Sequence, residues 1–151
     1  MAGQRRGRWD GKPVRYRHRD ALSEIDSLEF ERLLASYYRD EGYDVTLSGT
    51  GNGRSTFDGG VDLRLRKDGL LTLVQCKREN VYQVTHNVVH ELLGIKVNES
   101  AAGAIVITAG EFTDAARRAA DSGHVRLIDG IELRRMLGTR LDNLPWRRSA
   151  A

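Results

Sequence analysis

The apolar positions Phe30, Leu33, Leu34, Tyr37 and Tyr38 recur at the one-face spacing of a helix, bracketed by an Asp26/Glu29 capping box and by the stop residue Gly42. Tyr43, Val45 and Leu47 then alternate with polar neighbours, as a half-buried strand requires. A loop carrying Gly49, Gly51, Gly53, Gly59 and Gly60 follows, in which backbone can come close to another group. Beyond it Val61, Leu63 and Leu65 alternate with Asp62, Arg64 and Arg66 up to Asp68-Gly69. That dipeptide is the strongest short hairpin signal, and Leu70 to Lys77 makes the return strand.

Val84, Val88, Leu92 and Ile95, flanked by Val89 and Leu93, predict a second helix. Ala104 to Thr108 is a continuous apolar run of the kind found in strands covered on both faces. Thr113 can cap a helix through Ser122 that Gly123 ends. Val125 to Ile128 reads as another strand, and Asp129 with Glu132 forms a second capping box before Leu133, Met136, Leu137 and the stop at Gly138. Helix, three antiparallel-capable strands, helix, strand, helix, strand, helix predicts an α/β fold: a three-layer sandwich around a central mixed sheet.

The hairpin carries a chemical prediction. With a two-residue turn, Lys67 pairs with Leu70, and outward along the ladder Leu65 faces Thr72, Leu63 faces Val74, Asp62 faces Gln75 and Val61 faces Cys76. Lys77 then projects from the same surface as Asp62 and Gln75. A carboxylate and an amide oxygen are hard ligands suited to Mg²⁺, which shares its remaining positions with water and phosphate. The lysine stays unliganded and can stabilise charge building on phosphate oxygens or hold the attacking water. Glu31, at the border of the first helix's apolar stripe, can lean its carboxylate toward the sheet edge. Taken alone, such a strip is also the default solvated face of an alternating hairpin.

Composition narrows the field. A chain of 151 residues with 40% hydrophobic and 30% charged residues suits a single packed domain and excludes wholesale disorder. Its one cysteine, Cys76, excludes an internal disulfide and a cysteine-rich zinc site. No apolar run approaches the roughly 20 residues of a membrane span, and arginines stand where a secretion signal would need its apolar stretch, so a cytoplasmic location is expected. Of the 24 basic and 21 acidic residues, seven basic and two acidic ones fall in residues 1–20. This arm, with Arg5, Arg6, Arg8, Arg15 and Arg17 around Trp9 and Tyr16, suits phosphate neutralisation with base stacking, and equally a solvated tail.

Other chemistries fit less well. His86 and His90 lie one helical turn apart but match neither usual zinc-protease order, and face solvent or nucleic acid instead. There is no nucleophile elbow, and the glycine loop matches neither the P-loop nor the dinucleotide fingerprint, so no nucleotide cofactor is expected. Asp58 in that loop is a reserve metal or water contact, or a turn former.

Several stretches resemble a known family in its own order. They are Leu28-Glu29-Phe30-Glu31-Arg32-Leu33-Leu34 ahead of Gly42-Tyr43, Phe57-Asp58-Gly59-Gly60-Val61-Asp62-Leu63 and Val74-Gln75-Cys76-Lys77-Arg78, followed by Ala104 to Thr108, Phe112 to Ala116 and Leu127 to Gly130. Over residues 25–137 the chain resembles the Mrr-type endonuclease domain of the PD-(D/E)xK nuclease superfamily. The resemblance implies a restriction-endonuclease-like sandwich that hydrolyses DNA phosphodiesters with Mg²⁺, or Mn²⁺ in its place. Glu31, Asp62 and Gln75 would be the metal-site residues, with Lys77 as the catalytic lysine. Gln75 departs from the wider superfamily's Asp or Glu, though Mrr-type members commonly carry glutamine there.

The expected organisation is a basic arm (residues 1–22), the nuclease domain (23–138) and a basic tail (139–151). Arg54, Arg78 and the arm's arginines would contact duplex or branched DNA, and a homodimer would present two sites to the two strands. A structure-specific junction resolvase of the same superfamily and an inactive DNA-binding module are the alternatives.

Overall fold

Helix α1 (Ser27–Asp40) starts where the capping box places it: the Asp26 carboxylate accepts the Glu29 N–H at 2.8 Å. The computed structural model describes residues 21–48, 60–77 and 83–144. The basic residues Arg5, Arg6, Arg8, Arg15, Arg17, Arg54 and Arg78, with Asp58, lie outside those residues. After α1 come β1 (Asp44–Leu47), β2 (Leu63–Lys67), β3 (Leu70–Lys77), helix α2 (His86–Asn98), β4 (Gly103–Thr108), helix α3 (Asp114–Gly123), β5 (Arg126–Ile128) and helix α4 (Gly130–Leu137).

The five strands form one mixed sheet in sequential order, antiparallel from β1 through β3 and parallel from β3 through β5. Asp68 and Gly69 both take positive φ, 56° and 79°, the mark of the tight hairpin turn expected there. On one face, Leu63, Leu65, Val74, Ile107 and Ile128 pack with Phe30 and Leu34 of α1 and Leu133 and Leu137 of α4. On the other, Leu71, Leu73, Ala104 and Val106 pack with Val89 and Leu92 of α2 and Ala116 and Ala120 of α3. Each face of the sheet thus has its own apolar core, which gives the three-layer sandwich.

Three local expectations are corrected. Val84 is not helical: it makes a parallel bridge with Phe112, and Thr85 caps α2 by accepting the Asn87 N–H at 3.4 Å. Gly123 does not supply the left-handed cap of α3. It is the last helical residue, His124 takes the left-handed conformation at φ 58°, and the absent side chain of Gly123 makes room for Leu93 of α2. The third correction concerns Asp62. The ladder runs as expected from Lys67↔Leu70 to Leu63↔Val74, but the Asp62 N–H then bonds to the Val74 carbonyl at 2.7 Å instead of continuing opposite Gln75. Asp62 and Leu63 both stand against Val74, a β-bulge, and Val61 consequently enters the α2–α3 core rather than facing Cys76 on the α1 side.

Candidate active site

The bulge determines where the Asp62 carboxylate goes. In an unbroken ladder the Cys76 N–H would meet a β2 backbone carbonyl; here Asp62 Oδ2 accepts it at 2.7 Å. Strand N–H groups point within the sheet, so this carboxylate is held in the plane of the sheet, at the point where β2 leaves β3. The backbone fixes it further, because the Ser48 N–H donates to the Asp62 carbonyl at 2.8 Å.

Glu31 reaches the same point from α1. Burial, and then the neighbouring charge of Asp62 and a hydrogen bond with it, push the Glu31 carboxyl up to about 7. The Cys76 thiol faces the α1 core and is pushed well up, first by burial and then by the charges of Asp62 and Glu31. It is therefore a neutral packing group rather than a nucleophile.

Gln75 and Lys77 leave β3 on its other side. Leu71 and Leu73 pack in the α2–α3 core and Val74 in the α1 core, so strand alternation puts Gln75 and Lys77 toward α2 and α3. Their partners across the parallel ladder are Val106 and Thr108. The structure therefore brings Glu31 and Asp62 together and locks Asp62 onto the peptide that follows Gln75. The amide and the amine stand on the adjoining face rather than on one surface with both carboxylates. Gln75 is only 6% exposed, and its Oε1 has no hydrogen-bond donor among the described residues.

Two paired carboxylates, with a buried amide oxygen on the adjoining face that lacks a donor among the described residues, are hard oxygen acceptors short of positive charge, the ligand chemistry that a hard divalent cation satisfies. Among the described residues no three His, Cys, Asp or Glu side chains cluster as a metal cage. Mg²⁺ fits that count, because it is held by one or two carboxylates and otherwise by water and phosphate. His86 and His90 are exposed on the first turns of α2, their rings edge to face at 5.5 Å.

Sequence reasoning missed the Cys76 N–H as a partner of Asp62, because nothing in the hydrophobic pattern marks the bulge. It also passed over Thr108, the polar residue that closes the apolar run of β4. The Arg64–Glu99 pair was missed too. Arg64 holds the Glu99 carboxylate through two donors, at 3.0 and 2.5 Å, and reaches the Ser48 hydroxyl, tying the end of β1 and the end of α2 to β2. That bond holds the Glu99 carboxyl below its ordinary range.

Mixed sheet order, two helical layers and an acidic pair at the start of β2 define a restriction-endonuclease-like α/β domain. The chain belongs to the Mrr catalytic-domain family of restriction endonucleases, which it matches over residues 22–137. Two solved structures are similar in fold. The MspJI restriction endonuclease in complex with a 27-mer oligonucleotide shares 22% identity, with a TM-score of 0.55 over 85% of this chain and 29% of that one. A protein of unknown function, AF1548, shares 13% identity, with a TM-score of 0.54 over 66% of this chain and 56% of that one. This chain thus spans well under two thirds of either neighbour. Among curated proteins no sequence matches it. No described helix is long and apolar enough to cross a membrane.

Proposed function

We propose that the protein is a divalent-metal-dependent DNA endonuclease. The observation that carries this reading is the Glu31–Asp62 pair, fixed on the Cys76 N–H one residue from a Gln75 oxygen that has no donor among the described residues. A carboxylate pair that disfavours its own ionisation costs a structural or purely DNA-binding domain stability and repels phosphate, so a binder gains nothing from it. Membership of a restriction endonuclease family, and the oligonucleotide in the MspJI complex, support DNA as the substrate.

Asp62, Glu31 and Gln75 would hold Mg²⁺, or Mn²⁺ in its place. The cation supplies Lewis-acid polarisation of the phosphate and a lowered pKa for bound water. The protein's own groups do the rest. Asp62 is preorganised by its bond to Cys76 N–H, and Glu31, whose carboxyl is pushed up to about 7 in the metal-free domain and so keeps a proton part of the time at neutral pH, would give that proton up on metal binding. Lys77, at the last ladder position of β3, offers its ammonium to the phosphate oxygens as charge accumulates there. The basic arm, Arg54 and Arg78 grip backbone phosphates, and a two-fold dimer presents one site to each strand.

A supercoiled plasmid assay tests the reading. Nicking and linearisation are expected with Mg²⁺ or Mn²⁺, are abolished by EDTA, and fall by about 100-fold or more in Asp62→Ala and Lys77→Ala. Identical traces from wild type and both variants would overturn it. Running linear duplex, methylated duplex and four-way junction in parallel separates restriction-type cleavage from junction resolution.

A further inference from the structure

Two buried groups on the α2–α3 side of the β3/β4 seam are each short of a partner, and their needs are complementary. Gln75 Oε1 is an acceptor without a donor among the described residues. Thr108, fully buried at the end of β4, accepts the Gly110 N–H on Oγ1 at 3.0 Å, yet its own hydroxyl hydrogen has no acceptor among the described residues. A buried hydroxyl or amide left half-satisfied is destabilising, and a folded chain rarely keeps two of them side by side without something between.

The register makes them neighbours. Gln75 pairs with Val106 and Lys77 with Thr108 in the parallel ladder, so Thr108 lies directly beside Lys77 and diagonally from Gln75 on one face. Diagonal neighbours on a sheet stand about 7–8 Å apart, a gap closed by a glutamine side chain and one small molecule. The hydrogen-bonding demand identifies that molecule. A phosphate oxygen can accept from Thr108 but has nothing to donate to Gln75. A metal ion can sit on one lone pair of Gln75 Oε1, as the nuclease reading has it, but cannot accept the hydroxyl hydrogen, and the oxygen's other lone pair is then still open to a donor. Water does both.

We propose that Thr108 is a positioning residue of the site: its hydroxyl and the Gln75 amide oxygen hold one ordered water beside Lys77, at the carboxyl end of β3 and β4. The water accepts from Thr108 and donates one hydrogen to Gln75, which leaves its second lone pair facing Lys77 and the substrate side. Thr108 acts through this water and does not itself touch substrate. The inference rests on the nuclease reading for its kinetic consequence, but the water site stands on the buried groups alone.

The test uses the full chain and three proteins: wild type, Thr108→Ser, which keeps the hydroxyl, and Thr108→Val, which keeps the shape and loses it. A high-resolution crystal structure of wild type is expected to show a water within hydrogen-bond distance of both Thr108 Oγ1 and Gln75 Oε1, and Thr108→Val is expected to lack it. With Mg²⁺ and plasmid, assayed well below the melting temperature, Thr108→Val is expected to lose about tenfold or more in kcat with KM unchanged. Thr108→Ser is expected to stay within about threefold of wild type. Thr108→Val also frees the Gly110 N–H, so a small fall in Tm accompanies it. A merely structural role would give that fall without the split between kcat and KM. A crystal with no such water, or Thr108→Val cleaving as wild type does, overturns the proposal. If wild type shows the water but cleaves nothing with either metal, the nuclease reading fails and the water site stands.

Discussion

Asp62 is joined to Cys76 by side chain to backbone, Oδ2 to N–H at 2.7 Å, at the point where a regular strand pair would have joined backbone to backbone. The acidic group of the site therefore doubles as a piece of the sheet. Its two roles separate by substitution. Asp62→Asn retains an oxygen for the Cys76 N–H and loses the charge; Asp62→Ala loses both. Cleavage is expected to fall by about 100-fold or more in each. Urea unfolding is expected to place Asp62→Asn near wild type and Asp62→Ala about 1–3 kcal/mol below it, the cost of stranding the N–H. Equal stability of the two variants would remove Asp62 from the sheet's hydrogen bonding.

Glu31 and Glu99 give the metal-free domain a stability that turns over with pH. Glu31 binds its proton more tightly in the folded chain, at about 7 against an ordinary 4.5. Acidification from about pH 8 through 7 therefore stabilises the fold, and the gain is complete near the unfolded value. Glu99 has the opposite sign: its carboxyl is lowered by Arg64, so the stability it adds is present above 4.5 and is lost as pH falls further. Thermal melts in EDTA are expected to show Tm rising toward about pH 5 and then declining. Glu31→Gln should flatten the upper limb and Glu99→Gln the lower one. An unchanged upper limb in Glu31→Gln would mean that the two carboxylates are not paired.

Gly130, the first residue of α4, sits where an added Cβ would strike the backbone carbonyl oxygen of Ala109, and its N–H bonds to the Gly110 carbonyl at 2.9 Å. A backbone obstacle cannot swing aside as a side chain does. Gly130→Ala is expected to cost about 1–3 kcal/mol by urea unfolding. A neutral result would show that α4 shifts freely against the end of β4.

The basic arm is expected to bind DNA through phosphates. Replacing Arg5, Arg6 and Arg8 together by alanine should weaken binding about equally for all sequences. It should also reduce the slope of log K against log salt by up to about 3. A salt slope identical to that of wild type would assign the arm to solubility alone.

Much of this architecture was legible because local signals agree with the fold. Asp26, Thr113 and Asp129 cap the helices they were expected to cap, accepting the N–H groups of Glu29, Ala116 and Glu132. Asp68-Gly69 dictated a register that holds for five consecutive pairs. Position failed where a long-range requirement overrode the local pattern. Counting along a ladder assumes one residue per step, and the bulge at Asp62 spends two on Val74, which moves Val61 to the opposite core. Gly123 looked like a helix terminator because glycine usually is one; here its missing Cβ serves Leu93, a contact between two helices that no single-helix pattern contains. The Arg64–Glu99 bond spans 35 residues and was invisible for the same reason.

β3 has a hydrogen-bonded neighbour on each edge and an apolar layer against each face. Its central amides, those of the buried Leu73, Val74 and Gln75, are covered on both faces, so their hydrogen exchange should report global unfolding rather than local breathing. On the nuclease reading, the chemistry is thereby mounted on the domain's least yielding strand, and adaptation to different DNA would come from the segments around it.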